Sequence, residues 1–161
     1  LDSLLDAMAQ TKRGVLWIVG KPLNAAYKAK IKTLGLESRV RPVPVSGTIS
    51  ELYQAADWFV HPTLYDACAN TVLQSMASGL PGIISAQDGA IDHVHDGRNG
   101  FMLHHPADPK AVADRLNAAL DCSEPERAAM GIEARETMLP FTWERHVQNW
   151  EQLIPTVKPW P

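Results

Sequence analysis

Apolar residues in the first two thirds of the chain fall into short runs separated by amphipathic stretches. The runs at 15–19, 39–45, 58–61, 82–85 and 101–104 are brief, and the first four are rich in β-branched or aromatic side chains. Runs of that length and character read as strands buried on both faces. Between them, 23–34, 48–56, 70–78 and 90–95 carry apolar residues at helical spacing. The alternation predicts an α/β fold: a Rossmann-like, doubly wound parallel sheet with right-handed crossovers. After Pro106 only helical patterns remain, at 109–121, 124–138 and 142–154. With no repeat, linker or low-complexity tract, residues 1–161 read as one domain with a helical tail.

Local punctuation agrees with these elements. Thr48-Ile49-Ser50-Glu51 and Ser123-Glu124-Pro125-Glu126 have the form of capping boxes, in which hydroxyl and carboxylate satisfy free N–H groups reciprocally. Asp108 stands before Pro109, a proline already fixed at helical φ. Gly79, with Pro81 two residues on, ends the helix that carries Val72, Leu73, Met76 and Ala77. Leu1-Asp2-Ser3-Leu4-Leu5-Asp6-Ala7-Met8 reads as the middle of an amphipathic helix, so the chain is expected to start inside a larger protein.

Composition narrows the function classes. A chain of 161 residues, 45% of them apolar, can bury a core without a metal or a disulfide. Fifteen basic against eighteen acidic residues, for a net charge of −3, argue against a nucleic-acid binder that works by neutralising phosphates. The longest apolar run, Val15-Leu16-Trp17-Ile18-Val19, falls far short of the ~20 residues a bilayer span needs. No signal peptide opens the sequence, and Cys68 and Cys122 lack metal-type spacing, which predicts a reduced, cytoplasmic setting. His93 with His95, and His104 with His105, lack the helical spacing and cysteine neighbours of a metal site, so no metal is expected. His61, at a strand end, either faces a cleft or packs; its position leaves both readings open.

Ligands of an open parallel sheet bind beyond the carboxyl ends of its strands, where helix N-termini point. The loop His61-Pro62-Thr63-Leu64-Tyr65-Asp66-Ala67-Cys68-Ala69-Asn70-Thr71 occupies such a position. Small residues at Ala67 and Ala69 leave its backbone approachable, and Asn70 is expected to cap the next helix. The free N–H groups near Thr71 and Val72 would then attract a phosphate through directed donors and the helix dipole. Asp66 and Gln74 flank that point, which suits an anionic ligand with hydroxyls on either side.

The stretch from Tyr65 to Pro81, Tyr-Asp-Ala-Cys-Ala-Asn-Thr-Val-Leu-Gln-Ser-Met-Ala-Ser-Gly-Leu-Pro, resembles the motif of retaining GT-B glycosyltransferases of the group 1 type. There an acidic residue is followed, after seven residues, by Glu-Ala-Met-Ala-x-Gly-x-Pro. The likeness is nearest to the lipopolysaccharide-core glucosyltransferase branch, and it extends in both directions. Leu16-Trp17-Ile18-Val19-Gly20 resembles the second strand of the family's C-terminal half. Leu52-Tyr53-Gln54-Ala55-Ala56-Asp57 through Pro62 resembles its Tyr-x-x-Ala-Asp-x-x-x-x-Pro segment. Asp88-Gly89-Ala90-Ile91-Asp92, followed by Asp96-Gly97-Arg98-Asn99-Gly100-Phe101, resembles its Gly-Gly-x-x-Glu then Asp-Gly-x-x-Gly run.

The resemblance implies the nucleotide-sugar-binding, C-terminal half of such an enzyme, with a UDP-sugar as donor and UDP-glucose as the expected one. Asp66 takes the place of the catalytic carboxylate beside the transferred sugar, and Gln74 that of the group binding the ribose. Ala69, Asn70, Thr71 and Val72 would hold the diphosphate, with Gly20 and Asp92 near the donor. Transfer in the family retains anomeric configuration and uses neither metal nor cofactor. The acceptor, a saccharide or cell-envelope glycolipid, would bind an N-terminal half absent here. Such an acceptor would bring the parent enzyme to the inner face of the cytoplasmic membrane as a peripheral protein.

Two departures from the family pattern stand out. Position 74 is Gln where the family has Glu, a loss of about 1 kcal/mol of charge assistance. An Arg and a Lys that clamp the family's diphosphate precede the helix with which this chain opens. Their loss removes about 3–6 kcal/mol, or two to four decades in affinity. The isolated domain is therefore expected to bind weakly and to catalyse nothing. Two other readings remain: half of a sugar-nucleotide epimerase, against which the spacing from Asp66 to Gln74 speaks, and a degenerate binding or assembly module, suggested by Gln74. Trp143 and Trp150 share one face of a helix capped by Thr142; it resembles the closing family helix that crosses back towards the N-terminal half, although most of that face is expected to pack on the domain's own sheet. Trp160, between two prolines, is expected to fray.

Overall fold

A computed structural model describes residues 1–45 and 48–157; Trp160 lies outside the described residues. Its elements run α1 (Asp2–Gln10), β1 (Leu16–Val19), α2 (Ala25–Thr33), β2 (Val40–Val43), α3 (Ile49–Ala55), β3 (Phe59–His61), α4 (Asn70–Ala77) and β4 (Gly82–Ser85). A 3₁₀ turn (Gly89–His93) then leads to β5 (Gly100–Leu103), α5 (Pro109–Asp121), α6 (Glu124–Met138) and α7 (Trp143–Leu153). Every strand pairing is parallel, and α2 and α4 each cross over between paired strands, as the alternation predicts. The strands form two ribbons, β1–β2 and β3–β4–β5. Leu16 stands opposite Val40, Val60 opposite Ile83, and Ile84 opposite Met102.

Helices cover both faces of this parallel layer. Neighbouring residues of β4 point to opposite sides and enter different cores. Ile83 joins Leu4, Leu5, Ile31, Val112 and Leu116 beneath α1, α2 and α5. Ile84 joins Val72, Met76, Val94, Ala134 and Met138 beneath α4 and α6. Both isoleucines are fully buried, and burying one such side chain is worth about 1.5–3 kcal/mol. The absence of charged or large polar residues from β4, all four of whose residues are buried, thus follows from a strand covered on both faces.

Most of the punctuation is as expected. Ser123 and Glu126 form the reciprocal capping box, Asp108 accepts from the Lys110 N–H before α5, and Thr142 caps α7. At the end of α4, Gly79 adopts φ +77°. That left-handed turn lets the N–H of Leu80 reach the Ser75 carbonyl at 3.0 Å and that of Gly79 reach Met76 at 2.9 Å. Three expectations need correction. Thr48 makes no side-chain cap; its hydroxyl faces the Glu51 carboxylate at 3.5 Å, while the Glu51 N–H bonds the Thr48 carbonyl instead. The helix expected at 90–95 is the 3₁₀ turn, too short to close α-helical bonds. The apolar face of α7 does not pack on the sheet: Trp143 is 79% exposed and Trp150 50%. Instead the two indoles gather around His146, to whose Nε2 the Trp150 N–H donates at 3.0 Å.

Candidate functional site

Three segments meet beyond the carboxyl end of β3. The strand itself ends in His61. A loop of small residues then passes Asp66 and enters α4, and the loop after β4 brings Asp88 and Gly89 against it. Backbone bonds lace the two loops together: the Asp66 N–H donates to the Gln87 carbonyl at 3.2 Å, and the Gly89 N–H to the Asp66 carbonyl at 3.0 Å. Their approach is so close that a Cβ on Gly89 would lie 1.8 Å from the Ala67 carbonyl oxygen. Gly89 is therefore required by space.

The N-terminus of α4 departs from the expected cap. The N-cap is Ala69, and no side chain caps the helix at that residue; Asn70 is already the first helical residue. A long-range carboxylate organises this terminus. Asp88 Oδ1 accepts from the N–H of Ala69 at 3.1 Å and from that of Ala90 at 2.8 Å, so one carboxylate anchors both the entry to α4 and the 3₁₀ turn. The Val72 N–H bonds the Ala69 carbonyl at 3.0 Å, which leaves Val72 a buried packing residue rather than a free donor. The N–H groups of Asn70 and Thr71 have no acceptor among the described residues, and both residues are exposed. Two free donors on the positive end of a helix dipole are an arrangement that attracts anions.

Acidic groups border it. Asp66 accepts from the Cys68 N–H at 3.2 Å, a local turn that fixes one carboxylate oxygen and leaves the other facing His61. His61 Nε2 lies 3.2 Å from Asp88 Oδ2 and 4.0 Å from Asp66 Oδ2. Among the described residues these three side chains also form a group that could offer a cation three ligand atoms within 4.8 Å of one another, a cluster that sequence spacing did not suggest. Asp92 sits exposed in the 3₁₀ turn. Desolvation by the surrounding loop raises the Cys68 thiol pKa above its ordinary value, and the charges of Asp88, Asp66 and Asp92 raise it further. All three carboxylates therefore act on one spot beside the mouth of α4.

Gln74 lies one turn into α4, exposed, with its Oε1 accepting from the Tyr53 hydroxyl at 3.4 Å. That bond uses one lone pair of the amide oxygen and leaves the other, together with the NH₂ group, for a ligand. Tyr53 is itself buried, and burial raises its hydroxyl pKa. Gly20 ends β1 and donates to the Val43 carbonyl at 3.1 Å; no hydrogen bond joins it to the α4 loop. The structure thus unites Asp66, Ala69, Asn70, Thr71, Gln74 and Asp92 around one helix terminus, with Gly20 on the other ribbon. Sequence reasoning missed the roles of Asp88 and Tyr53. The Asp-Gly pair at 88–89, where a side-chain cap precedes a glycine without room for a Cβ, was the available signal for the first.

Doubly wound parallel sheets with an open helix N-terminus beyond a strand end define a Rossmann-like ligand-binding layer. Residues 1–122 match the sequence profile of the family Glycosyl transferases group 1, and the chain belongs to that family. It is 27% identical over 140 residues to lipopolysaccharide glucosyltransferase WaaG of Escherichia coli, covering 84% of this chain and 37% of that one. It is 32% identical over 142 residues to D-inositol 3-phosphate glycosyltransferase of Corynebacterium diphtheriae, covering 83% and 33%. The fold superposes on Anabaena Alr3699/HepE, solved in complex with UDP, with a TM-score of 0.85 at 23% identity over 97% of this chain and 45% of that one. These relatives are GT-B glycosyltransferases, and the chain spans less than half of the length of each.

Proposed function

We propose that this chain is the donor-binding, C-terminal portion of a retaining hexosyltransferase whose donor is a nucleoside diphosphate sugar, UDP-glucose above all. The observation that carries the reading is the pair of unengaged N–H groups at Asn70 and Thr71, set between a carboxylate at Asp66 and an exposed amide at Gln74 one turn into α4. Family membership supports it, as do a neighbouring fold solved with UDP and the same protein solved with UDP-glucose. In this reading the diphosphate rests on the α4 terminus, and the dipole stabilises the charge that grows on it as the glycosidic bond breaks. Asp66, fixed by the Cys68 N–H, hydrogen-bonds the sugar hydroxyls and orients the anomeric carbon. The Gln74 NH₂ donates to a ribose oxygen, with Gly20 and Asp92 at the margins of the donor.

The acceptor is a saccharide or glycolipid held by the portion of the parent polypeptide outside residues 1–161, so the isolated chain transfers nothing. No helix among the described residues is long and apolar enough to cross a membrane. In this reading the parent works in the cytoplasm and meets a glycolipid acceptor at the inner membrane face. The test is transfer from UDP-glucose by the full-length parent carrying Asp66→Asn. Loss of positioning and of charge at the sugar lowers kcat by about 100-fold or more while leaving UDP affinity within a few-fold. Unchanged kcat removes Asp66 from the mechanism.

A further inference from the structure

Two buried polar atoms face each other beyond the end of β3 with nothing to satisfy them. His61 Nε2 and Asp88 Oδ2 stand 3.2 Å apart, no hydrogen bond joins them, and neither has a partner elsewhere among the described residues. The Asp88 side chain is completely buried, and that of His61 is 25% exposed. The other oxygen of each nearby carboxylate is engaged. Asp88 Oδ1 accepts from the N–H groups of Ala69 and Ala90, and Asp66 Oδ1 accepts from that of Cys68. The two oxygens left over both face His61 Nε2, that of Asp66 at 4.0 Å. A buried carboxylate oxygen without a donor is costly, so an orphan of this kind calls for a partner.

The chemistry of the surrounding atoms indicates what that partner is. His61 ends β3, Asp66 lies in the loop that enters α4, and Asp88 lies in the loop after β4. Their ligand atoms converge within 4.8 Å of one another, and no other histidine, cysteine, aspartate or glutamate trio among the described residues does so. Two ligand atoms held about 2.0–2.2 Å from one tetrahedral ion lie about 3.4 Å apart. The separation of Nε2 and Oδ2 is close to that edge. Asp66 Oδ2 stands farther off, on a side chain that is 40% exposed and has room to turn inward.

We infer that His61 Nε2, Asp66 Oδ2 and Asp88 Oδ2 are the protein ligands of a divalent transition-metal ion of the zinc class, with water in the fourth position. Two carboxylates balance the two charges of the ion. A neutral imidazole nitrogen suits zinc and its neighbours, whereas Mg²⁺ and Ca²⁺ take six or more ligands, nearly all oxygen. The ion ties the end of β3 to both loops at the mouth of α4, loops already joined by the bond from the Gly89 N–H to the Asp66 carbonyl. It also takes the Asp66 oxygen that the donor reading assigns to the sugar, so ion and nucleotide sugar compete. That consequence rests on the donor reading; the ion site itself does not.

The test is titration of the ¹⁵N-labelled chain with Zn²⁺, following the imidazole nitrogens. His61 Nε2 moves to a metal-bound position and saturates at one equivalent, while a hundredfold excess of Mg²⁺ leaves it in place. Asp66→Asn, at the more exposed carboxylate, keeps the dispersed amide spectrum of the fold and weakens the apparent affinity by about tenfold or more. Shifts confined to the other histidines, or equal affinity in Asp66→Asn, overturn the proposal. So does a proton that stays between His61 and Asp88 when Zn²⁺ is present. UDP-glucose added to the zinc-loaded chain separates the two readings. Donor shifts at Asn70 and Thr71 that need about tenfold more ligand support the competition. Unchanged donor affinity with His61 metal-bound upholds the ion site and removes Asp66 from the sugar. A saturable zinc site in a chain that binds no donor at all upholds the ion and overturns the donor reading alone.

Discussion

His61 Nε2 lies 3.2 Å from Asp88 Oδ2, and the Asp88 side chain is completely buried. No hydrogen bond joins the two atoms at that separation, and both are buried without a hydrogen-bond partner among the described residues. The other Asp88 oxygen holds the amides of Ala69 and Ala90, which leaves the His61 imidazole as the polar neighbour of Oδ2 on a carboxylate on which two loops depend. Replacing the imidazole with an apolar group takes that neighbour away. His61→Leu is expected to lower unfolding free energy by about 2–4 kcal/mol in denaturant titration, and Asp88→Asn in the same background to restore part of it. A loss under about 0.5 kcal/mol would show that the pair contributes nothing beyond packing.

Gly89 faces the Ala67 carbonyl so closely that any side chain must move backbone, not a flexible chain end. Gly89→Ala therefore separates the two loops and displaces the entry to α4. The expected outcome is a loss of about 3 kcal/mol or more in stability, with new amide shifts at Cys68 and Ala69. Gly97→Ala is the contrasting variant: it lies in open space and suffers only the strain of its positive φ, about 1 kcal/mol. Equal effects at the two glycines would contradict the packing described.

Cys68 reports on the charge of the site. Its thiol pKa is raised by desolvation and by the carboxylates of Asp88, Asp66 and Asp92. A raised thiol pKa means less thiolate at neutral pH, so alkylation of native Cys68 should be slower than that of a free thiol and should accelerate as pH rises past the ordinary cysteine value of about 8.5. Asp66→Asn and Asp92→Asn each remove one of the charges that hold the thiolate down, and each should speed the reaction at fixed pH. Rates equal to those of unfolded protein would show that the three carboxylates do not act on the loop together. Peptide mapping distinguishes Cys68 from Cys122, whose pKa burial also raises.

What the sequence disclosed depended on how local the cause was. β4 and α6 could be read to the residue because a short run without charges and a Ser-x-x-Glu box are complete within themselves. The same logic failed at Thr48, where the form of a box is present but the hydroxyl meets the Glu51 carboxylate instead of a free N–H. Asn70 looked like a cap because caps are usually adjacent; here the carboxylate that secures Ala69 arrives from nineteen positions away. The amphipathic pattern of α7 was visible, but a pattern shows only that a face is apolar, not what covers it. The split of the sheet into two ribbons was equally invisible, since each strand's own residues say nothing about which neighbour stands beside it.

The central claim is that the open terminus of α4 receives the diphosphate of a nucleotide sugar. Titrating the ¹⁵N-labelled chain with UDP-glucose, and separately with ADP- and GDP-glucose, tests it most directly. Saturable shifts are expected at the Asn70 and Thr71 amides and the Gln74 side chain, largest for UDP-glucose, with an affinity near the millimolar range. No perturbation of those three at millimolar ligand, or saturable shifts confined to another part of the molecule, would contradict it.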